Sequence, residues 1–357
     1  MTGPETGVRT TDAAAGAALT VPAAGPGSEV PETSAPARHR TAALWARYLG
    51  RRLVGVVAVL LVIILLTFLI VRFVPGDPAR LIVGMNATPD QVEQVREDLG
   101  LNDPFWQQLG SYVSGVFTGD LGESFVNKQP VTEMIGQRLP LTAQLALSAL
   151  AVVLVLGFLL GITAGMLDHR GRGRAFTSPF TAVTSLVGAL PEYITGTLLV
   201  YVFALSLQWF PVQGGPGFES MLLPALAVGL PPAAVLARLV RNETLTVLSQ
   251  EYMTTATSKR LSRTRLLLRH VLPNVVTSTL TLGGLLLVAL LGGTVITENV
   301  FNISGVGTAV VQAILRSDYP SVQGVILVLG LVAVVINLAV DITLGLLDPR
   351  VLSRRTS

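Results

Sequence analysis

Long apolar runs alternate with short polar or basic stretches along most of the chain. The first run, LVGVVAVLLVIILLTFLIVRFV, follows Arg51 and Arg52 and ends at Pro75-Gly76. About 20 apolar residues suffice for a helix to cross a bilayer. The pattern therefore predicts a first membrane helix over residues 49–75. It predicts further spans near 141–166, 178–207, 221–247, 270–297 and 321–347.

The later spans are less uniformly apolar than the first. They contain many Gly and Thr residues and the polar or helix-breaking residues Pro191, Pro231, Pro232, Asn337 and Asp341. Lipid offers no partner for polar groups, so such helices are expected to pack against other helices or to line a cavity. The expected fold class is an all-α integral membrane protein with six transmembrane helices, five of them in a core over residues 140–349.

Composition agrees with a membrane protein and narrows the chemistry. The 357 residues are 50% hydrophobic and only 13% charged, whereas soluble proteins carry about 25% charged residues. The absence of cysteine excludes disulfides and thiolate metal sites. The histidines His39, His169 and His270 are far apart in sequence, so no local metal site is predicted.

Both ends of the chain are predicted to be tails. Residues 1–48 are rich in Ala, Gly, Pro and Thr and show no apolar periodicity, which is typical of disorder. They also contain no apolar stretch of the signal-peptide kind. Residues 350–357 form a short basic tail.

Basic residues are concentrated in alternate connections. By the positive-inside rule, this distribution places both termini in the cytoplasm, which requires an even number of spans. The predicted cytoplasmic set is Arg38, Arg40, Arg47, Arg51, Arg52, Arg170, Arg172, Arg174, Arg238, Arg241, Lys259, Arg260, Arg263, Arg265, Arg269, Arg350, Arg354 and Arg355. The sparser opposite set is Arg72, Arg80, Arg96, Lys128, Arg138 and Arg316.

Residues 76–139 then form a large extracytoplasmic segment, which is net acidic. Thr88-Pro89-Asp90-Gln91 predicts a helix start with a capping box, and Gly100 fits a helix stop. The apolar spacing from Phe105 to Phe117, with Trp106, predicts a second helix at the outer interface. The segment is interpreted either as a cap over the membrane core or as a gate or docking surface.

Familiar catalytic motifs are missing. The two lysines, Lys128 and Lys259, do not follow G-x-x-x-x-G, so the chain has no Walker A loop. There is also no H-E-x-x-H and no G-x-S-x-G. Gly305-Val306-Gly307 is interpreted as a turn, because it lacks a third glycine and a strand context. The prediction is a protein that is not an enzyme, with no catalytic residues.

A few polar residues inside the spans are candidates for a substrate pathway or a hinge: Pro191, Glu192, Pro231, Asn337 and Asp341. Intramembrane acids can mark an ion or proton site. They can also serve as hydrogen-bond partners between helices, and this structural interpretation is favoured for Asp341, which lies one helical turn from Asn337.

The stretch EYMTTATSKRLSRTRLLLRHVLPN (251–274) carries the densest cluster of cations, within a predicted cytoplasmic loop over 248–269. It resembles the EAA loop of permease subunits of ABC importers, in the oligopeptide, dipeptide and nickel branch. The matching residues are Glu251, Tyr252, Ala256, Lys259, Leu267, His270, Leu272 and Asn274. Two positions depart from the pattern: Arg260 replaces a Gly, and Thr254 replaces the Glu of the general form.

Other segments extend the resemblance from Leu53 onward. VPGDPA (74–79), NATPDQVEQVREDLGL (86–101), GDLGESF (119–125) and RLPLTAQLAL (138–147) resemble the first permease subunit of that branch. ITENVFNISGVGTAVVQAILRSDYPSVQGVIL (296–327) and NLAVDITLGLLDPRV (337–351) resemble its last third.

The resemblance implies a type I importer permease in the cytoplasmic membrane of a bacterium. Its partners would be a second homologous permease subunit, two ATPase subunits or domains that bind ATP and Mg²⁺, and an external solute-binding protein. This chain itself would hold no cofactor.

The resemblance also implies that residues 250–262 form a short coupling helix on an ATPase. Tyr252, Met253, Ala256 and Leu261 would supply apolar contacts. Glu251, Lys259 and Arg260 would supply charges at the rim. The end of the loop comprises His270, Leu272, Pro273 and Asn274. Arg263, Arg265 and Arg269 are interpreted as orienting and anchoring the next span.

The substrate class follows from the resemblance alone. Dipeptides or oligopeptides lead, while nickel, glutathione-like peptides and oligosaccharides stay open. Rival classes are a stand-alone secondary transporter or channel and a membrane receptor or scaffold. Neither a clear midplane ion site nor an internal repeat supports the secondary transporter.

Overall fold

The computed structural model describes residues 37–73, 78–84, 87–98, 100–169, 173–259 and 262–347, and nearly all of them are helical. This confirms the all-α fold class. The chain divides into two units, residues 1–43 and 44–357, and the sites described below lie in the second. The helices are α1 (Ala37–Phe73), α2 (Pro78–Val83), α3 (Pro89–Asp98), α4 (Phe105–Thr118), α5 (Val131–Leu167), α6 (Gly173–Ala189), α7 (Glu192–Leu199), α8 (Phe218–Leu248), α9 (Glu251–Ser258), α10 (Arg263–Leu266), α11 (Leu272–Val300), α12 (Val306–Leu315) and α13 (Tyr319–Leu347). Two π-helical segments, Val200–Ser206 and Leu267–Val271, continue α7 and α10.

Two helices begin before the predicted boundaries. Helix α1 begins at Ala37, within the stretch predicted to be a disordered tail; residues 37–48 contain Ala, Leu and Arg, which are strong helix formers. Helix α5 begins at Val131 and continues through Pro140, where the sequence predicted the end of the extracytoplasmic segment. A proline inside a membrane helix is tolerated when neighbouring groups satisfy the freed backbone.

Four described helical segments are long and apolar enough to cross a membrane: Gly50–Ile70, Val131–Leu167, Phe218–Leu248 and Tyr319–Ala339. The third predicted span is broken instead, because α6 and α7 meet at an angle of 101° around Pro191. The fifth corresponds to α11, which is 29 residues long. The count of six spans stays a prediction.

Helices α5 and α8 form the most extensive helix pairing of the core. Gly157, Gly161 and Gly165 recur every four residues of α5 and face α8. A Cβ at Gly161 would lie 2.6 Å from the carbonyl oxygen of Ala237 and 2.6 Å from the Cβ of Val240. Small residues at this spacing let two membrane helices approach closely.

The predicted extracytoplasmic segment contains the short helices α2, α3 and α4. The capping box at the start of α3 is confirmed: the Thr88 N–H donates to Gln91 Oε1 (3.0 Å), and the Gln91 N–H donates to Thr88 Oγ1 (3.4 Å). Gly100 adopts a φ of +63°, as expected after a helix C-terminus.

Helix α4 packs on α1. The Phe68 ring lies 5.5 Å from the Phe105 ring and 5.8 Å from the Tyr112 ring, measured between centroids. The hydroxyl oxygens of Thr67 and Tyr112 are 3.0 Å apart. Burial raises the pKa of the Tyr112 phenol above its ordinary value, which already keeps the hydroxyl protonated at neutral pH. Aromatic packing and this hydrogen bond therefore hold the outer segment to the first membrane helix.

Candidate functional site

The predicted coupling helix is present as α9, and its apolar side faces the chain's own core. Met253 is 2% exposed and packs in one cluster with Val271 and Val275, while Ala256 is 8% exposed. Neither side chain is accessible in this conformation, and their contact with an ATPase stays a prediction. Met253 instead packs α9 against Val275 at the start of α11.

Three residues of the resembling motif meet at the base of α11. The Tyr252 and His270 rings lie 6.3 Å apart. The Asn274 side-chain amide donates to the Tyr252 hydroxyl oxygen (3.2 Å) and to the His270 carbonyl (2.7 Å). Leu272 packs against the same core, and Pro273 lies in the first turn of α11, where a proline is tolerated. The end of the predicted loop thus contacts α9 through Tyr252.

The exposed part of α9 is polar. Glu251 and Lys259 are exposed, and Tyr252 is 40% exposed. Arg260 and Leu261, predicted to share this surface, lie outside the described residues. Glu251, Tyr252 and Lys259 are therefore the predicted coupling residues that the structure leaves accessible to a partner.

Two basic residues of α8 connect neighbouring helices. Arg241 forms an ion pair with Asp168 at the end of α5, and Arg238 donates to the carbonyl of Thr184 in α6. Arg238 and Arg241, which the sequence analysis attributed to membrane orientation, thus also hold the end of α8 that leads to α9 against its neighbours. A hydrogen-bonded ion pair fixes the position of a side chain more closely than attraction to the membrane surface does.

Glu192 lies where the third predicted span breaks. Pro191 adopts an extended conformation, and Glu192 is the first residue of α7. Its carboxylate packs against Gly293 of α11, where a Cβ would lie 2.5 Å from Glu192 Oε2. That oxygen is buried and has no hydrogen-bond partner in the described part of the chain.

The other pathway candidates lie elsewhere. Asp341 accepts a hydrogen bond from Arg52 (2.6 Å), which joins the last predicted span to the first. Asn337 is exposed, and Pro231 is buried within α8, whose helix continues past it. The candidates therefore do not form one cluster, and the ion pair of Asp341 agrees with the structural interpretation.

A buried acid that sequence reasoning missed is Glu298 in α11. Its side chain is 0% exposed. Glu298 Oε1 accepts from the Thr142 hydroxyl (2.6 Å), and Oε2 accepts from the Thr308 N–H (3.0 Å). Thr142 Oγ1 in turn accepts from the Val306 N–H (2.8 Å). Together, Glu298 and Thr142 satisfy donors at the N-terminus of α12, where a negative charge is favourable.

A sequence signal for this site existed. Glu298 lies near the end of an apolar span and is followed by Gly305 and Gly307. A Cβ at Gly305 would collide with the Glu298 carboxyl group. An acid at the end of a span that is followed by closely spaced glycines indicates a carboxylate bound by the free N–H groups at the N-terminus of the next helix.

An open cleft lies among segments predicted to be extracytoplasmic. Its empty volume is about 290 Å³, and two guanidinium side chains line it, those of Arg138 and Arg316. The amides of Asn127 and Gln312 also line it.

The carboxylate of Asp318, at the edge of this cleft, already has hydrogen-bond partners within the chain. Asp318 accepts from the hydroxyls of Ser124 (2.6 Å) and Ser321 (2.7 Å) and from the Phe125 N–H (2.9 Å). The cleft thus combines two cations with a carboxylate that hydrogen bonds already satisfy.

Comparison with known proteins identifies two matching family models. The description "binding-protein-dependent transport system inner membrane component" matches residues 157–353. The N-terminal model of the membrane component of such systems matches residues 45–146.

Among similar proteins is a peptide transport system permease of Brucella abortus (strain 2308). It is 39% identical over 309 residues, which cover 84% of this chain and 97% of that protein. The glutathione transport system permease of Escherichia coli (strain K12) is 36% identical over 304 residues, covering 85% and 98%. A solved structure of the MetNI methionine ABC transporter in inward-facing conformations matches with a TM-score of 0.46 and 15% identity. It covers 58% of this chain and 96% of that one.

The matched family models and the relatives extend over the spans, the outer segment and the loop around α9. This chain belongs to the family of inner membrane components of binding-protein-dependent transport systems.

Proposed function

We propose that this chain is the permease subunit of an ABC importer that carries dipeptides or oligopeptides. The observation that carries the proposal is the junction of Tyr252, His270 and Asn274, which supports α9 beneath the membrane core. The names of the relatives, peptide and glutathione permeases, favour peptides over other solutes. Nickel or another small solute is the alternative substrate class.

In the proposed importer, partner subunits complete the pore, hydrolyse ATP and deliver the substrate. A second homologous permease completes the membrane pore, and two ATPase subunits bind and hydrolyse ATP with Mg²⁺. An external solute-binding protein delivers the peptide. Both termini and α9 lie in the cytoplasm, as the distribution of basic residues indicates.

Co-purification and uptake test this assignment. Tagged and isolated from its own bacterial membrane, the chain is expected to bring down a second permease and two ATPase chains. The complex in liposomes is expected to import labelled dipeptide only with ATP and the binding protein. Import by this chain alone into ATP-free vesicles would identify a secondary carrier instead.

The exposed face of α9 is proposed to contact the ATPase. We expect Lys259→Glu to weaken association with the ATPase several-fold, because reversal of a charge at an interface rim disfavours the partner. Lys128→Glu is the matched control, since Lys128 is the other lysine and lies in the predicted extracytoplasmic segment. Affinity is measured between the purified permease pair in nanodiscs and the ATPase. Equal effects of the two substitutions would exclude α9 as the docking surface.

Ala256→Glu would not test docking to the ATPase in the way that Lys259→Glu does. Ala256 is buried, so a glutamate there would enter the core without a partner and unfold the region for reasons unrelated to docking. Substitutions at exposed positions keep folding and docking separable.

The outer cleft is proposed to receive an acidic side chain of the binding protein. A guanidinium pair with neighbouring amides matches a carboxylate. We expect Arg316→Gln to weaken binding of the binding protein a few-fold and to reduce its salt dependence. Arg80→Gln, at another exposed arginine of the outer segment, is the control. An unchanged affinity and salt dependence for Arg316→Gln would remove the cleft from the docking surface.

Pro191 and Glu192 are proposed to line the solute pathway, because the span breaks between α6 and α7 beside a carboxylate. Pro231, Asn337 and Asp341 are proposed to be structural, with Asp341 held by Arg52.

A further inference from the structure

A carboxylate that has no hydrogen-bond partner in the described part of the chain lies between α7 and α11. Glu192 Oε2 is buried and makes no hydrogen bond to the described residues. The carboxylate lies flat against the backbone of Gly293, since a Cβ there would be 2.5 Å from Oε2 and 2.6 Å from Oε1. Only the absence of a side chain at Gly293 allows the acid to occupy this place.

A second unpaired polar group lies on the helix face that α7 covers. Thr297 is 1% exposed, and its hydroxyl oxygen has no hydrogen-bond partner in the described chain. Thr297 follows Gly293 by one helical turn and precedes Phe301 by another, so the three share one face of α11. Gly293 contacts Glu192, and Phe301 approaches Gly196 of α7, where a Cβ would lie 3.3 Å from the ring.

Glu192 differs from the other buried or half-buried acids described above, each of which has a protein partner. The partners are Thr142 and Thr308 for Glu298, Arg52 for Asp341, Arg241 for Asp168, and Ser124 and Ser321 for Asp318. Glu192 is half-buried, but its Oε2 atom is buried without a partner among the described residues, which is costly. Acids inside membrane spans often mark substrate or ion pathways.

The chemistry of these two groups suits an ammonium ion. An ammonium group donates three hydrogen bonds and carries the complementary charge, whereas a carboxylate and a hydroxyl supply acceptors. A nickel ion is better served by imidazole nitrogens than by one carboxylate and one hydroxyl. A peptide with a free N-terminus presents exactly one ammonium group on its backbone.

We propose that Glu192 binds the protonated amino group of the transported peptide within the membrane. Thr297, one helical turn from Gly293 on the same face of α11, offers a further acceptor. This inference rests on the proposed function as a peptide permease. It adds to that function a single contact that recognises the N-terminus of the peptide independently of its side chains.

The test uses the whole importer in liposomes, with the second permease, the ATPases and the binding protein. The binding protein is loaded to the same extent with labelled tri-alanine or with N-acetyl-tri-alanine, which lacks the ammonium group. Glu192→Gln is expected to lower the initial uptake rate of tri-alanine about tenfold, the scale of one lost charged hydrogen bond. N-acetyl-tri-alanine is expected to enter at the same rate through the wild-type importer and through the Glu192→Gln variant.

Two matched controls separate recognition from folding. Glu219→Gln alters another glutamate in the first turn of a helix, but an exposed one, and is expected to leave uptake unchanged. Gly293→Ala is expected to act like Glu192→Gln, because its Cβ displaces the carboxylate. Gly292→Ala adds a Cβ in open space and is expected to behave like the wild type.

Three results would overturn the inference: tri-alanine uptake within twofold of the wild type for Glu192→Gln, an equal loss for both probes, or a loss that parallels the amount of assembled complex. A wild-type importer that carries nickel but no tri-alanine would contradict the peptide specificity itself, and the inference with it. That last result concerns the wild type alone, whereas the first three compare it with a variant. A failure of the proposed peptide function can therefore be told apart from a failure of the inference about Glu192.

Discussion

Replacing Gly161 by alanine is expected to lower the free energy of unfolding by about 1–3 kcal/mol, the usual cost of overpacking a well-packed site. The added Cβ would meet the carbonyl oxygen of Ala237 and the Cβ of Val240, both at 2.6 Å. Neither atom can rotate away, because one belongs to the backbone of α8 and the other is bonded directly to it. The two helices would have to separate along their most extensive interface.

The same helix offers graded controls for this prediction. Gly136→Ala adds a Cβ with nothing within 4 Å, so we expect no loss and a gain of up to about 1 kcal/mol from the higher helix propensity of alanine. Gly157→Ala should fall between the two, because its Cβ would meet the side chain of Leu236, which can change rotamer. Unfolding is followed in detergent micelles with the denaturant SDS. If Gly161→Ala were as stable as Gly136→Ala, the close α5–α8 contact would be incorrect.

Glu298→Gln is expected to destabilise the chain by about 1–3 kcal/mol, the cost of leaving a buried donor unpaired. Thr142 Oγ1 accepts from Val306, so its own proton points to Glu298 Oε1; Oε2 accepts from the Thr308 N–H. Both oxygens thus face donors. A glutamine amide nitrogen at either position would oppose donor to donor. Glu123→Gln, at an exposed acid, is the control and should leave stability unchanged.

A double-mutant cycle makes the prediction about Glu298 more specific. Gly305→Ala is expected to destabilise the wild type, because its Cβ collides with the Glu298 carboxyl group. In a Glu298→Ala background the obstructing group is gone, so the added cost of Gly305→Ala should be much smaller. The free energy of unfolding of all four proteins is measured in detergent. Strictly additive losses would show that Gly305 and Glu298 do not share this contact.

Much of the local structure was predictable from short-range signals. The capping box from Thr88 to Gln91, the stop at Gly100 and the helix from Phe105 to Thr118 are all present. Each depends on residues close in the chain, whose backbone hydrogen bonds and caps form within one or two turns. The start of α5 at Val131 was missed, because the apolar run that predicts the span begins only near residue 141.

The candidate site was predictable only as a place in the chain. The motif pattern located α9 and the residues Tyr252, His270 and Asn274, but it did not show that Met253 and Ala256 are buried within the chain itself. A short helix that is apolar on one side can pack that side against another protein or against the core of its own chain. The choice depends on α11, whose Val271 and Val275 receive Met253.

Apolar run length, local caps and the motif around α9 were sufficient to predict a helical membrane protein, the approximate positions of its long helices and the loop that resembles an importer permease. The partners of the acids within the spans depended on tertiary packing: Arg52 for Asp341, Thr142 and Thr308 for Glu298, and, among the described residues, none for Glu192 Oε2. The physical reason is that a membrane helix is apolar on most of its faces. Its sequence period therefore does not specify which face meets which neighbour, and only the packed helices bring distant polar groups together or leave one unpaired.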